Sequence, residues 1–395
     1  MTATMRDCSE RTEVLYLAFD LGERSWKLAF TIGRAQKPRI RNVVARDLAG
    51  VTREIVRAKQ RFGLSPDAAV RCCYEAGRDG FWLHRWLTTQ GIENLVVDSS
   101  SIELNRRSRR AKTDRLDAEK LVVMRVRYAE GEGKVWSVVR VPSDDQEDGR
   151  QLHRELETLK RARTSHMNRI RGLLVAQGLT VQGFDKFSAE VEQLRRCDGT
   201  PLPPALQTRL KREFERLQLV ERQIDELDQE RVRQLHEQAT PQQHEQIRRL
   251  LALRGIGINS AWLFVREVFG WRQVRNRREL GALCGLVPTP YASGQSEYEQ
   301  GISKAGNRRM RPMAVEIAWL WLEYQPRSEL SQWYQRRFGT GNSRMRRVGI
   351  VALARKLLVA LWKYLERGEV PAGAELREWQ TKVRPRRRQK RTAAA

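Results

Sequence analysis

Val14-Leu15-Tyr16-Leu17-Ala18-Phe19 is an almost unbroken apolar run that closes on a carboxylate, Asp20. A strand apolar on both sides must be covered on both sides, so this run predicts the buried centre of a sheet flanked by helices. A carboxylate at its end is expensive to bury without a partner. Glu75 ends a second such run, Ala68-Ala69-Val70-Arg71-Cys72-Cys73-Tyr74, in the same way. Asp114 and Asp117 follow the basic stretch Arg106 to Lys112 at a helix start, and their i, i+3 spacing puts both on one helical face. Each acid alone reads as an N-cap or a surface ion pair. Together the four read as oxygen ligands for hard cations, which in pairs activate a nucleophile and stabilise a leaving oxygen in phosphoryl transfer.

The elements between these acids fit a mixed sheet. Gly22-Glu23-Arg24 is a turn signal, after which Trp26, Leu28 and Phe30 alternate with Lys27, Ala29 and Thr31. A third strand is expected around Ile40 to Val44. Leu48, Val51, Ile55, Ala58 and Phe62 then recur at helical spacing. With the strand ending at Glu75, a helix near Asp79 to Gln90 and a short strand Asn94 to Asp98, the order is βββαβαβα, an α/β fold. Asp98 also ends an apolar strand, but Ser99 to Ser101 suggest a polar turn that it caps, and it is left outside the acidic set.

From about Ser143 the chain becomes dense in Glu, Asp, Arg and Gln with apolar residues at helical spacing. Leu152, Leu156 and Leu159 lead to Ile170 and Leu174; after Gly199, Pro201, Pro203 and Pro204 come Leu210, Phe214, Leu217, Ile224 and Leu227. This pattern predicts an antiparallel coiled-coil hairpin, a spacer or dimerisation arm. A third region opens at Leu250, where Arg254-Gly255-Ile256-Gly257 separates two apolar helical runs. Such a helix-hairpin-helix element lets Gly255, Gly257 and the following helix N-terminus approach a phosphate. The domain reading is 11–142, an α/β domain; 143–246, the coiled-coil region; 247–372, a mainly α domain; and 373–395, a basic tail carrying Arg384 to Arg391.

Lys and Arg number 74 against 48 Asp and Glu, a formal net charge of +26, which points to a polyanionic partner, nucleic acid first. An anionic membrane surface is the other candidate, but no apolar span of about 20 residues occurs. Val348 to Leu365 comes nearest and is interrupted by Arg355, Lys356 and Lys363. Met1 to Arg11 is polar and charged, so the protein is expected inside the cell. Cys8, Cys72, Cys73, Cys197 and Cys284 form no CxxC pair, and the 5 histidines show no HExxH spacing, which argues against zinc chemistry. Lys304, Arg308, Arg309 and Arg311 follow Gly301 with no intervening acid, and Gly306-Asn307 is a helix opening whose cations address phosphates. Arg106, Arg107, Arg109, Arg110 and Lys112 are candidate contacts to nucleic acid near the metals. Trp262, Trp271, Trp319, Trp321 and Trp362 are expected in helical cores.

Seven short blocks in this order resemble the IS one-ten group of insertion-sequence transposases, related to the Piv/MooV invertases and described as bridge-RNA-guided DNA recombinases. They are Phe19-Asp20-Leu21-Gly22, Tyr74-Glu75-Ala76-Gly77, Lys112-Thr113-Asp114-Arg115-Leu116-Asp117-Ala118, Arg254-Gly255-Ile256-Gly257, Leu286-Val287-Pro288, Tyr291-Ala292-Ser293-Gly294 and Gly301-Ile302-Ser303-Lys304-Ala305-Gly306-Asn307. The resemblance implies a RuvC-like (RNase H-like), DEDD-type N-terminal domain and a C-terminal transposase domain. It carries Asp20, Glu75, Asp114 and Asp117 over as Mg²⁺ ligands, with Mn²⁺ a substitute, and Ser293 as the nucleophile. From its turn-rich surroundings alone Ser293 is a loop serine making a backbone hydrogen bond, and Ser296 and Ser303 are its nearest alternatives.

The activity so implied is recombination of donor and target DNA through a phosphoserine intermediate, directed by a structured noncoding guide RNA. It further implies a cytoplasmic, nucleoid-associated prokaryotic protein that forms a homodimer and then a tetramer, with the active site completed between subunits. A junction-resolving nuclease or an invertase without guide RNA is the alternative within the same chemistry. A non-enzymatic nucleic-acid-binding protein is the alternative outside it.

Overall fold

The computed structural model describes residues 13–102, 114–181, 183–184, 187, 191–236, 242–293 and 296–377; at 100, 114–116, 291–293 and 296–300 it describes the backbone alone. The chain divides into two compact units, Met1–Val141 and Pro142–Ala395.

In the first unit β1 (Val14–Leu21), β2 (Ser25–Thr31) and β3 (Arg39–Val44) form an antiparallel meander. β4 (Ala69–Glu75) and β5 (Glu93–Val97) extend it in parallel, giving the order β3-β2-β1-β4-β5. The double burial expected of β1 is explained by two helical layers. Leu15, Leu17 and Phe19 pack with Val51, Ile55 and Ala58 of α1 (Leu48–Arg61) and Leu83 and Leu87 of α2 (Trp82–Thr89). On the opposite face Ala18, Ala29, Cys73 and Val97 lie under Ala118, Leu121 and Val122 of α3 (Asp114–Ala129). Small residues on that face let the helix approach the sheet closely. Gly22 in the β1–β2 turn is required, since a Cβ there would stand 2.4 Å from the Ser25 carbonyl oxygen.

The second unit begins with α4 (Asp144–Asp148), capped by Ser143, and two long helices, α5 (Gln151–Val175) and α6 (Pro204–His236). Ile170 and Leu174 pack with Leu210 and Phe214, whereas Leu156 packs with Val220 and Ile224, so the pair is antiparallel. Glu213 sits buried between the two helices, bonded to His166 (2.6 Å), Arg169 (2.5 Å) and Arg216 (2.9 Å). Burial would raise its carboxyl pKa, but those three partners hold it below the usual range.

The remainder is mainly helical: α7 (Gln242–Ala252), α8 (Ile258–Phe264) continued by a π turn Val265–Phe269, α9 (Arg277–Leu283), α10 (Met310–Tyr324), α11 (Glu329–Phe338) and α12 (Ser343–Arg367). One two-stranded hairpin, β6 (Pro288–Ser293) and β7 (Ser296–Ile302), interrupts the helices. Trp262, Trp271 and Trp321 are buried as expected, but Trp319 is 46% exposed and meets Tyr334 edge-on, a departure from the core reading. Among the described residues no helix is long and apolar enough to cross a membrane.

Candidate functional site

Strand register and alternation bring the acids of the first unit to one end of one face. β1 and β4 run parallel with Phe19 opposite Tyr74, so Asp20 and Glu75 are the next positions at the carboxyl ends of adjacent strands. Ala18 and Cys73 belong to the layer under α3, and the two-residue period assigns Asp20 and Glu75 to that same face. Leu95 and Val97 also face α3, so the alternation of β5 assigns the next position, Asp98, to the opposite face. The direction of α3 completes the arrangement. Arg125 pairs with Glu93 at the start of β5 and donates to the Cys72 carbonyl at 3.2 Å, while the Cys73 thiol donates to the Leu121 carbonyl at 3.7 Å. The helix therefore runs against β4, with its N-terminus toward the end that carries Glu75. From Leu121 back to Asp117 is about 6 Å of helix, and from Cys73 on to Glu75 is about 6.6 Å of strand, so Asp117 is level with Glu75.

The donor set is carboxylate oxygen only, the chemistry that suits Mg²⁺ or Mn²⁺. Among the described residues no three His, Cys, Asp or Glu side chains are gathered closely enough to hold an ion. Asp20 and Glu75 already make interactions within the fold. The backbone of Asp114 opens α3. Arg106, Arg107, Arg109, Arg110 and Lys112 lie outside the described residues.

Ser293 closes β6 and pairs in register with Ser296 across the hairpin tip, so it belongs to a strand end rather than an irregular loop. Ser303 lies at the other end, its backbone N–H donating to the Val287 carbonyl at 2.8 Å. Of the two alternatives, only Ser296 shares the tip with Ser293.

The expected basic contacts separate into different environments. Lys304 is exposed, in a left-handed conformation (φ 55°), and Arg308 is exposed. Arg309 is tied to Glu157 of α5 at 2.7 Å, and Arg311 has Nη1 buried with no hydrogen-bond partner among the described residues. Asn307 is structural: its Oδ1 accepts from the N–H groups of Arg309 and Met310, and its amide donates to Glu267 at 3.0 Å. Glu267 is also held by both nitrogens of an Arg154 fork, at 3.0 and 3.2 Å, which counters the pKa rise that burial would cause. The Arg254-to-Gly257 turn does join two helices, α7 and α8, as expected. Gly255 has φ 86°, and a Cβ there would meet Tyr324 Cβ at 3.3 Å and the Leu320 carbonyl oxygen at 3.4 Å, so internal packing accounts for this glycine. Gly257 precedes α8 in an extended conformation, with Ser260 Oγ accepting from its N–H at 3.2 Å.

Sequence reasoning missed a basic cavity of about 1670 Å³ at the base of the hairpin. Arg277 and Arg278 of α9 and Lys304 line one side. Arg344, Arg347, Arg355, Lys356 and Lys363 of α12 line the other, and no acidic residue lines the cavity among the described residues. Leu286, Ile302, Trp333 and Val351 contribute apolar walls. The available signal was the three- and four-residue spacing of Arg344, Arg347, Val351, Arg355, Val359 and Lys363 along α12.

Residues 247–335 match the family model described as Transposase IS116/IS110/IS902 family. The chain is 40% identical over 380 residues to putative transposase y4rJ of Sinorhizobium fredii, covering 92% of this chain and 94% of that one. It is 33% identical over 233 residues to a probable family 20 transposase of Pseudomonas aeruginosa, 58% of this chain and 66% of the relative. It is 29% identical over 232 residues to the transposase for insertion sequence element IS1328 of Yersinia enterocolitica, again 58% and 66%.

Proposed function

This chain belongs to the IS116/IS110/IS902 family of transposases, and from that premise we propose that it recombines donor and target DNA through a covalent phosphoserine, directed by a structured noncoding RNA. The observation that carries the reading is the placement of Asp20 and Glu75 at the carboxyl ends of adjacent parallel strands, on the face covered by α3 and level with Asp117. The strand order β3-β2-β1-β4-β5, antiparallel then parallel, supports a RuvC-like reading of this unit.

In this mechanism Asp20, Glu75, Asp114 and Asp117 would hold Mg²⁺ or Mn²⁺, which when bound neutralises charge on the scissile phosphate. The Ser293 hydroxyl loses its proton, its Oγ bonds to phosphorus, and the bond to the 3′-oxygen breaks. The released 3′-oxygen takes up a proton, leaving a 3′-hydroxyl and a 5′-phosphoserine. Attack by a 3′-hydroxyl of the second duplex reverses these bond changes and frees the serine. Two phosphoester exchanges conserve bond energy, and the chain has no GxxxxGK[ST] loop for ATP. The net charge of +26 supports an RNA partner beside two duplexes. The antiparallel pair α5 and α6 is the proposed dimerisation arm, from which a tetramer would hold both duplexes.

The test is strand joining by the full chain with Mg²⁺, DNA carrying the element ends, and RNA transcribed from the DNA flanking the gene. Wild type is expected to give joined products; Asp20→Asn, Glu75→Gln and Ser293→Ala are expected to lose them while still binding DNA. Joining by Ser293→Ala at the wild-type rate would refute the serine mechanism, and equal joining with and without RNA would refute guidance.

A further inference from the structure

We infer that the basic cavity at the hairpin base is a groove for one unpaired nucleic-acid strand, with phosphates on its cations and bases against its apolar walls. The choice of polyanion rests on the reading of the chain as a DNA recombinase; the site itself rests on its lining. Among the described residues eight cations and no acid border the cavity. Among the described residues Lys363 alone of the eight is in an ion pair, with Glu369 at 3.9 Å. Arg344 and Arg347, three residues apart on one helix, repel one another, and a bound polyanion relieves that repulsion. The volume of about 1670 Å³ exceeds the roughly 300–1,000 Å³ of small-molecule pockets, which favours a polymer.

The apolar lining decides between duplex and single strand. A duplex presents phosphates and keeps its base faces stacked inside, so Trp333, Val348 and Val351 would gain nothing from it. An unpaired strand exposes base faces that stack on aromatic side chains. Trp333 is half-buried at the wall, held edge-on by Phe338, with the Lys356 ammonium 4.7 Å from its ring centre. An aromatic ring with a lysine ammonium beside it is a place where a base and its phosphate can both be accommodated. Val348, 54% exposed on α12, is a second apolar surface without internal cover. The groove includes Pro288 and Ile302, the paired base of β6 and β7, and Ser293 stands at the tip about 17 Å along the strand. A strand held here lies alongside the hairpin that presents the serine.

The test measures binding by the full-length protein without Mg²⁺, using labelled oligo(dT), oligo(U) and a duplex across a salt series. Arg347→Gln/Arg355→Gln/Lys363→Gln is compared with Arg209→Gln/Arg212→Gln/Arg222→Gln, an equal charge change on exposed positions of α6. The cavity triple is expected to weaken single-strand binding at least tenfold beyond the control and to lower the salt slope by about 2, at roughly 0.7 per lost contact. Trp333→Ala should weaken single-strand binding roughly 5- to 150-fold, the effect of losing one stacked base, with duplex binding unchanged, and Trp333→Phe should restore most of it. The effect appearing with the deoxy strand, the ribo strand or both supports the groove and names its occupant. A cavity triple no weaker than the control, or Trp333 variants that act equally on duplex, would overturn it. Cleavage plays no part in this readout, so groove binding that persists in a chain unable to join DNA would count against the recombinase reading alone.

Discussion

Gly255 shows how a residue type can carry a meaning different from the one its motif suggests. Glycine in a turn between helices reads naturally as room for a phosphate, yet its left-handed backbone and the closeness of Tyr324 and Leu320 already require it. Gly255→Ala is expected to destabilise the protein by about 1–2 kcal/mol through the left-handed conformation alone, read as a lower urea midpoint at unchanged m-value. Full stability with weakened DNA binding would instead return this glycine to the phosphate role. Arg309 makes the same point for charge: a cation in a basic run is bonded to Glu157 and thereby fastens the start of α10 to α5. Sequence showed that Arg309 was one of four neighbouring cations; which of them meets an acid 152 residues away depends on tertiary packing.

Among the elements, those set by short-range pattern were legible. β1 was readable as a doubly covered strand because its apolar run has no polar side, and the opposed leucine series of α5 and α6 indicated their pairing. α12 was not readable as a groove wall. Its Arg355, Lys356 and Lys363 look like interruptions of an apolar span until the helix is wound, when the buried leucines turn one way and the cations join Arg344 and Arg347 on another face. Ser293 looked like a loop residue because turn formers surround it, whereas pairing with β7 makes it a strand end.

Contacts between elements also set the acid response. Burial would raise the Glu157 carboxyl, but the His153 ring 3.5 Å away and the hydrogen bond from Arg309 bring it from 4.5 down to about 2. A depressed carboxyl contributes stability that is present above its unfolded pKa and lost as pH falls from about 4.5 toward 2. Burial, then Arg266 and Arg248, lower the His244 ring from 6.5 to about 4, so the fold favours its neutral form and loses stability as pH falls between those values. Urea midpoints should therefore decline from about pH 6.5 and again below about 4.5. Glu157→Gln should flatten the lower decline and spare the upper; an unchanged lower slope would show that the contact between α5 and the start of α10 carries no acid lability.

The molecule as a whole divides its chemistry between two compact units, one with the acidic sheet end and the other with the serine hairpin and basic groove. The positions of Asp20 and Glu75 at strand ends were legible in the sequence because strand ends and alternation are local, and that of Asp117 on α3 because its spacing from Asp114 is helical. The role proposed for Ser293 rests on family resemblance, since nothing adjacent to a serine in sequence reports what activates it. Mapping the linkage after reaction decides the matter. The full chain is incubated with DNA and RNA in Mg²⁺, denatured and digested, and the peptide that retains nucleotide mass is sequenced. A nucleotide 5′-phosphate on Ser293, lost in Ser293→Ala, is the predicted result; cleaved DNA with no such peptide, or the same adduct on another residue, would contradict the mechanism.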